Sequence, residues 1–163
     1  MRRTIQQALA LLGLILLAAC SRTPRAWHAD VTEWILGLPM DNICALAEPM
    51  ALTPQPETFV HQRMSGILLR ESEQAPKGSL HIAADTRVEL ICAYLLPDAV
   101  AQDKYTVQIE LRLPERDGAV GLRLPVSAQK ESLPALVNPD THKPLRLSLK
   151  DALEYADKKR SKN

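Results

Sequence analysis

The spacing of apolar residues is helical near the N-terminus and extended through the middle of the chain. Four apolar residues that follow a cap at Asp30 share one face of a predicted helix: Val31, Trp34, Ile35 and Leu38. Gly37 and Pro39 end this helix, and a second short helix is predicted from Asp41 to Ala47, before a proline-rich segment. The sequence therefore predicts two short helices ahead of a sheet.

Extended segments dominate from residue 59 onward. Residues 88–96 are nearly all apolar, which predicts a central strand covered on both faces. Residues 105–113 alternate strictly between apolar and polar, and the alternation resumes from Val120 to Val126 after a turn at Asp117-Gly118. This pattern predicts an antiparallel hairpin. Because Pro125 cannot donate a ladder hydrogen bond, its second strand is predicted to lie at a sheet edge.

The last apolar pattern is helical again. Ser148-Leu149-Lys150-Asp151 has the spacing of a capping box, and Leu149, Ala152, Leu153 and Ala156 line one face of the helix that follows. The predicted fold class is α+β: an antiparallel β-sheet of four to six strands with short N-terminal helices and a C-terminal helix. A β-sandwich with peripheral helices is the alternative.

The first twenty residues have the pattern of an export signal. Arg2 and Arg3 precede an uninterrupted run of Ala, Leu, Ile and Gly from Ala8 to Ala19. This run is too short for a lasting membrane-spanning helix, which needs about 20 apolar residues. Small residues then precede a cysteine, and Leu17-Ala18-Ala19-Cys20 resembles the lipobox of bacterial lipoproteins.

The resemblance implies cleavage before Cys20, a diacylglycerol on its sulfur and an acyl group on its new amine. Two or more acyl chains anchor a protein stably to a membrane, because each CH₂ group buried in the bilayer contributes roughly 0.8 kcal/mol to the binding free energy. Ser21 resembles the residue found after the cysteine in lipoproteins that are sent to the outer membrane. The predicted organisation is a signal peptide (1–19), a lipidated tether (20–29) and a single periplasmic α+β domain (30–163).

Charge and cysteine content indicate which partners and which cross-link to expect. The chain has 20 Lys and Arg against 19 Asp and Glu, with no long run of either sign, so neither nucleic acid nor an anionic membrane surface is predicted as the main partner. With Cys20 assigned to lipid, Cys44 and Cys92 remain in a compartment that permits disulfides. We predict a bridge between them, which would stabilise the fold by about 4 kcal/mol on the loop-entropy model. The alternative is two buried thiols that pack as small hydrophobes.

The sequence lacks the motifs of the common catalytic sites. It contains no Gly-x-Ser-x-Gly elbow and no glycine-rich phosphate loop, and its four histidines lack zinc-site spacing. We therefore predict a protein that is not an enzyme, with no metal and no cofactor beyond the covalent lipid.

The predicted function is that of an outer-membrane-anchored lipoprotein that faces the periplasm and binds an envelope protein. It would serve a secretion, pilus or conjugation system, as a pilotin does. An inhibitor or immunity lipoprotein is one alternative, and a carrier of lipid or a small apolar ligand is another.

Two groups of residues are candidates for partner binding. Val120, Leu122 and Leu124 lie on the strand predicted at the sheet edge, where a partner strand could add. Lys158, Lys159 and Arg160 lie at the C-terminal end of the closing helix, where the helix dipole favours cations. The second group could be a docking patch for an acidic partner or headgroup, or simply a solvated helix end.

Overall fold

A computed structural model of the 163-residue chain describes residues 27–60, 62–70, 73–98, 101 and 103–161. The predicted signal peptide, Cys20 and most of the predicted tether lie outside the described residues. A single 3₁₀ turn at Thr32–Trp34 and one helix, α1 (Leu149–Arg160), accompany thirteen described strands. The strands are β1 (Ala29–Asp30), β2 (Ile35–Leu36), β3 (Ile43–Leu46), β4 (Met50–Leu52), β5 (Glu57–Thr58), β6 (Arg63–Met64), β7 (Ile67–Arg70), β8 (Leu80–Ile82), β9 (Arg87–Pro97), β10 (Lys104–Arg112), β11 (Val120–Ser127), β12 (Ser132–Val137) and β13 (Pro144–Leu147).

Eleven of these strands form one mixed sheet. Its order is β2-β13-β12-β3-β9-β10-β11-β7-β4-β8, and β1 also pairs with β9. The neighbours are antiparallel except β11 and β7, which run parallel, and β5 and β6 form a separate two-stranded ribbon. The α+β class and the closing helix are confirmed, but the sheet has more strands than the predicted four to six.

The predicted N-terminal helices are wrong. The Asp30 side chain accepts hydrogen bonds from the backbone N–H and the hydroxyl of Thr32, at 3.0 and 2.6 Å. Such a local bond offers the backbone an alternative to helical pairing, and only the single 3₁₀ turn forms. The second predicted helix is the strand β3, because β9 and β12 pair with it on either side.

The predicted hairpin is confirmed as β10 and β11. Their antiparallel register runs from Lys104 opposite Ser127 to Leu111 opposite Val120. The apolar residues of the alternating pattern are buried in one core: Val107, Ile109, Leu111, Val120, Leu122, Leu124 and Val126. Helix α1 covers part of this core with Leu149, Ala152 and Ala156.

A bulge in β9 separates the two cysteines. Glu110 of β10 lies opposite Cys92 whereas Leu111 lies opposite Leu90, so that Ile91 is an extra residue. The extra residue reverses the alternation, and Cys92 lies on the outer face of the sheet. Cys44 lies opposite Val88 and is fully buried on the core face. Both thiols are free, so the predicted Cys44–Cys92 disulfide is wrong.

Strand β11 is not the edge that Pro125 indicated. Gly121 and Leu122 pair in parallel with Ile67 and Leu68 of β7, on the side away from β10. Pro125 lies past this pairing, so its missing N–H marks only where the second neighbour ends. Within the described strands, the ends of the sheet order are β2 and β8.

The folded part begins earlier than the predicted boundary at residue 30. Ala29 is 2% exposed and pairs with Leu95 at the end of β9 that β3 does not cover. Trp27 packs against the core and its ring centroid lies 6.4 Å from that of Tyr105. The last three residues of the predicted tether therefore belong to the domain.

Candidate partner-binding surfaces

Strand β8 is an edge strand that carries an exposed apolar side chain. It pairs with β4 alone within the described sheet, with Leu80 opposite Leu52. Leu80 is 48% exposed, so much of its apolar side chain is accessible to solvent. An edge strand with an accessible apolar side chain is the kind of surface on which a partner strand pairs.

A cleft of about 570 Å³ lies beside this edge. We call it the β8 cleft; its walls come from four segments that are distant in sequence. The lining residues are Leu52, Thr53, Pro54, Ser65, Gly78, Leu80 and Pro114 to Asp117. The cleft therefore joins the end of β4, the approach to β7, the start of β8 and the turn between β10 and β11.

The floor of the β8 cleft is fixed by close backbone packing. A Cβ atom on Gly66 would lie 2.5 Å from the carbonyl oxygen of Thr53, so only glycine fits there. The Thr53 hydroxyl accepts a hydrogen bond from the Ile67 N–H at 2.9 Å. The Ser65 N–H and hydroxyl both donate to the Ala119 carbonyl, at 2.8 and 3.0 Å, which ties the turn to this floor.

The lining of the β8 cleft suits a peptide better than an apolar small molecule. Glu115, Arg116 and Asp117 supply charges of both signs at one side, while Leu52 and Leu80 supply apolar surface at the other. The cleft opens to solvent, whereas carriers of apolar ligands bury most of the ligand surface. This arrangement could receive one apolar side chain of an extended chain that pairs with β8.

The residues predicted to bind a partner on β11 do not reach the surface. Val120, Leu122 and Leu124 are 1, 1 and 2% exposed and point into the core. They cannot contact a partner in the folded protein, and this prediction is wrong. Sequence reasoning missed β8 because nothing in its short, mixed sequence distinguishes an edge strand, and sheet order depends on pairing between distant segments.

The second predicted group, Lys158, Lys159 and Arg160 at the end of α1, is exposed, and Arg160 contacts Trp27. Lys158 pairs with Glu154 at 2.7 Å, and Arg160 pairs with Asp157. The Arg160 guanidinium also lies over the Trp27 ring, 4.8 Å from its centroid. The Lys159 amine lies 5.8 Å from the centroid of Tyr155. We call Trp27, Tyr105, Lys159 and Arg160 the Trp27 face.

A buried polar cluster lies on the outer face of β9 and β10. Glu110 is 2% exposed, and its Oε2 accepts a hydrogen bond from Gln62. The Cys92 thiol hydrogen-bonds with Glu110 and Tyr94. Among the described residues, Glu110 Oε1 and Gln108 Oε1 are buried without a hydrogen-bond partner. The alternating pattern placed Glu110 on the outward face, but it did not predict that another segment covers this face.

The β5–β6 ribbon provides that cover. Phe59, Met64 and Ile67 form a small apolar cluster of their own, which Arg123 closes by pairing with Glu57 at 2.7 Å and lying over the Phe59 ring at 4.8 Å. Strand β11 lies beneath this cluster and has a glycine, Gly121, at the point of contact. A Cβ atom there would lie 2.4 Å from the Phe59 ring, so the ring can pack against the strand only because Gly121 has no side chain. The ribbon therefore covers the outer face of the sheet at Glu110, where Gln62 donates to the carboxylate.

Neither thiol has the properties of a nucleophile. Burial raises the pKa of Cys44 to about 12. Burial is also the main cause that raises the pKa of Cys92 to about 12, and the neighbouring Glu110 adds to it. Reactive cysteines have a lowered pKa because the thiolate is the attacking form. Both thiols therefore remain protonated at neutral pH.

Comparisons with known proteins do not indicate a function for this chain. No family model, curated protein or solved structure matches this chain. Within the part of the chain that the structure describes, no group of three or more His, Cys, Asp or Glu side chains could hold a metal ion. In the same residues, no helix has the length and apolar character needed to cross a membrane.

Proposed function

We propose that this protein is an outer-membrane lipoprotein that faces the periplasm and binds another envelope protein without catalysis. Its role would be that of an accessory to an envelope assembly such as a secretion, pilus or conjugation system, in the manner of a pilotin. The leader that ends in Leu17-Ala18-Ala19-Cys20 supports the anchoring, and a lipid anchor raises the effective concentration of the domain for partners at the same membrane.

The β8 edge is the observation that supports the binding role. A peptide in extended conformation can pair with an edge strand through its backbone and place alternate side chains in pockets beside it. The half-exposed Leu80 and the adjoining cleft of about 570 Å³ supply both parts of such a site. We therefore assign the partner strand to β8, with the β8 cleft receiving one of its side chains.

Two observations favour binding over the other classes. The protonated Cys44 and Cys92 thiols are poor candidates for covalent catalysis. The sheet interior is filled by its own apolar side chains, and the β8 cleft has polar as well as apolar lining, which suits a peptide more than a lipid.

The test is crosslinking from position 80 in the full-length protein expressed in its own bacterium. A photo-reactive amino acid replaces Leu80, and a matched chain carries it at Leu36, which is 50% exposed on the other edge strand, β2. We expect crosslinks from position 80 to one envelope protein and at least about tenfold fewer from position 36.

A charge at the same two positions completes the test. Leu80→Glu should reduce recovery of the crosslinked partner in mild-detergent capture, while Leu36→Glu should leave it unchanged. Equal crosslinking from both positions, or recovery that Leu80→Glu does not reduce, contradicts the β8 assignment. Intact-mass measurement of the captured protein checks the anchor separately, because the mature form should begin at Cys20 and carry fatty acids.

A further inference from the structure

We propose that the Trp27 face seats the domain on the headgroups of the bilayer to which Cys20 is attached, and that the β8 cleft then points away from that bilayer. This inference rests on the lipid at Cys20 that the proposed function assumes. It adds a second contact between protein and membrane, which the leader sequence alone does not predict.

The length of chain before the fold brings the Trp27 face close to the membrane. Trp27 follows Cys20 by seven positions, so at about 3.5 Å per residue the two are at most about 25 Å apart. The domain therefore remains near the bilayer surface, and one part of its surface must face that bilayer. The side from which the chain emerges is the side that the tether can hold closest.

The chemistry of the Trp27 face fits a headgroup layer. Tryptophan and tyrosine side chains prefer the membrane interface because one end of each ring system is apolar and the other is polar. Trp27 is half-buried between Tyr105 and the Arg160 guanidinium, so part of its ring remains accessible. Exposed lysine and arginine side chains next to such rings bind lipid phosphates.

The balance of charge around this face sets the strength of the contact. Exposed cations near it are Lys104, Lys130, Lys158, Lys159 and Arg160, and the carboxylates that oppose them are Asp98, Asp103, Glu154 and Asp157. Two of the helix cations already pair with carboxylates in α1. The surplus is small, so the seat depends on the rings as much as on charge, and the contact is weak without the covalent lipid.

The direction of β10 orients the rest of the molecule. Tyr105 lies at the beginning of β10, and the turn from Pro114 to Asp117 that lines the β8 cleft follows its end. From Tyr105 to the end of the strand at Arg112 there are seven steps of about 3.3 Å, so the turn that lines the cleft begins about 23 Å from Tyr105. A membrane at the Tyr105 end would therefore leave the β8 cleft open to a partner in the periplasm.

The experiment measures quenching of single tryptophans by lipids with brominated acyl chains. The lipidated full-length chain with Trp34→Phe keeps Trp27 as its one tryptophan, since the sequence has two. The matched control carries Trp27→Phe, Trp34→Phe and Arg116→Trp, which places the reporter in the turn at the far end of β10. Both proteins are reconstituted into vesicles of phosphatidylethanolamine and phosphatidylglycerol after intact-mass measurement has confirmed the fatty acids.

We expect bromolipid to quench Trp27 at least about twofold more than the reporter at position 116 of the control protein. Lys159→Gln with Arg160→Gln should reduce the Trp27 quenching, and so should vesicles of phosphatidylcholine alone. Equal quenching at both reporters in lipidated, folded protein overturns the seat and leaves the anchor intact. If Lys159→Gln with Arg160→Gln instead lowers recovery of a protein partner without changing the quenching, that face binds a protein and the proposal is wrong. Absence of fatty acid is a failure of the proposed function.

Discussion

Both faces of the β9–β10 pair contain fully buried side chains, but different chemistry stabilises each. On the inner face, Val107, Ile109 and Leu111 are fully buried within one large apolar core. On the outer face, Glu110 is 2% exposed and lies beside Cys92 under the β5–β6 ribbon. Burial therefore has different consequences on the two faces. The inner face gains free energy from every apolar atom removed from water, while the outer face depends on each polar atom finding a partner.

The two faces also differ in the extent of unfolding that would expose them to solvent. The inner core joins residues from nearly every strand and from α1, so it can be lost only when the whole domain unfolds. The ribbon covers the outer face through a three-residue apolar cluster and the contacts of Arg123. A layer with so few apolar contacts can open without global unfolding. Perturbations of the two faces should therefore differ in size and in kind.

The largest expected effect is on the inner face. Ile109→Ala removes a fully buried side chain from the middle of β10 and should lower the free energy of unfolding by about 2–5 kcal/mol, because a cavity remains. Gln108→Ala, at the next position on the outer face, removes a side chain whose Oε1 is already unpartnered, and should cost less than about 1 kcal/mol. Urea unfolding followed by circular dichroism measures both. An equal loss for the two variants would show that the faces are not energetically distinct.

Much of the inner face was predictable because its signal is local. Strict alternation from Tyr105 to Leu113 and again from Val120 determined both the hairpin and its buried side. The closing helix followed in the same way from the spacing of Leu149, Ala152 and Ala156. In each case the pattern that makes the element also makes the face that buries it.

The outer face and the edges were not predictable because they depend on contacts between distant segments. Residues 88–96 are apolar on both sides, so no residue marks the extra position at Ile91 that turns Cys92 outward. The burial of Glu110 depends on the ribbon, and the pairing of β11 with β7 depends on a segment more than fifty residues earlier. Pro125 correctly indicated that one backbone N–H is missing from the ladder. It did not indicate that the whole of β11 lies at a sheet edge, because β7 pairs with β11 before Pro125.

The second effect compares the two faces through their thiols. Burial raises the pKa of both Cys44 and Cys92 from the ordinary value of 9.0 to about 12. In the unfolded chain a thiol ionises above pH 9, while in the folded protein it keeps its proton until about pH 12. Stability is therefore fully present below pH 9 and falls as the pH rises toward 12. At about pH 10 the loss should be about 1.4 kcal/mol for Cys44, and less for Cys92, because that thiol is only partly buried and solvent screens it.

Two measurements separate the thiols. Urea unfolding between about pH 8 and pH 10 should show a smaller fall for Cys44→Ala and for Cys92→Ala than for the unchanged chain, after allowing for the lower starting stability. Iodoacetamide with mass measurement at about pH 8 should modify both thiols slowly in the folded protein, and Cys92 first if the ribbon opens locally. Resistance of both thiols to alkylation in urea without reductant would instead indicate a disulfide and contradict the free thiols of this fold.

The smallest effect concerns Glu110 and tests whether the outer face is optimised for stability. Its Oε1 is buried without a partner among the described residues, so a charged carboxylate there carries a desolvation cost that hydrogen bonds offset incompletely. Glu110→Gln keeps the shape and an acceptor for Gln62 but removes the charge, and it should change the free energy of unfolding by less than about 1 kcal/mol, in the stabilising direction. Glu110→Ala should instead destabilise by about 1–3 kcal/mol, because it leaves Gln62 and the Cys92 thiol without their acceptor.

Glu89→Gln is the matched control, since Glu89 lies on β9 in an exposed pair with Arg112 that contributes at most about 1 kcal/mol. If Glu110→Gln destabilises as much as Glu110→Ala, the carboxylate itself is needed, and the unpartnered oxygen then has a donor in the native protein.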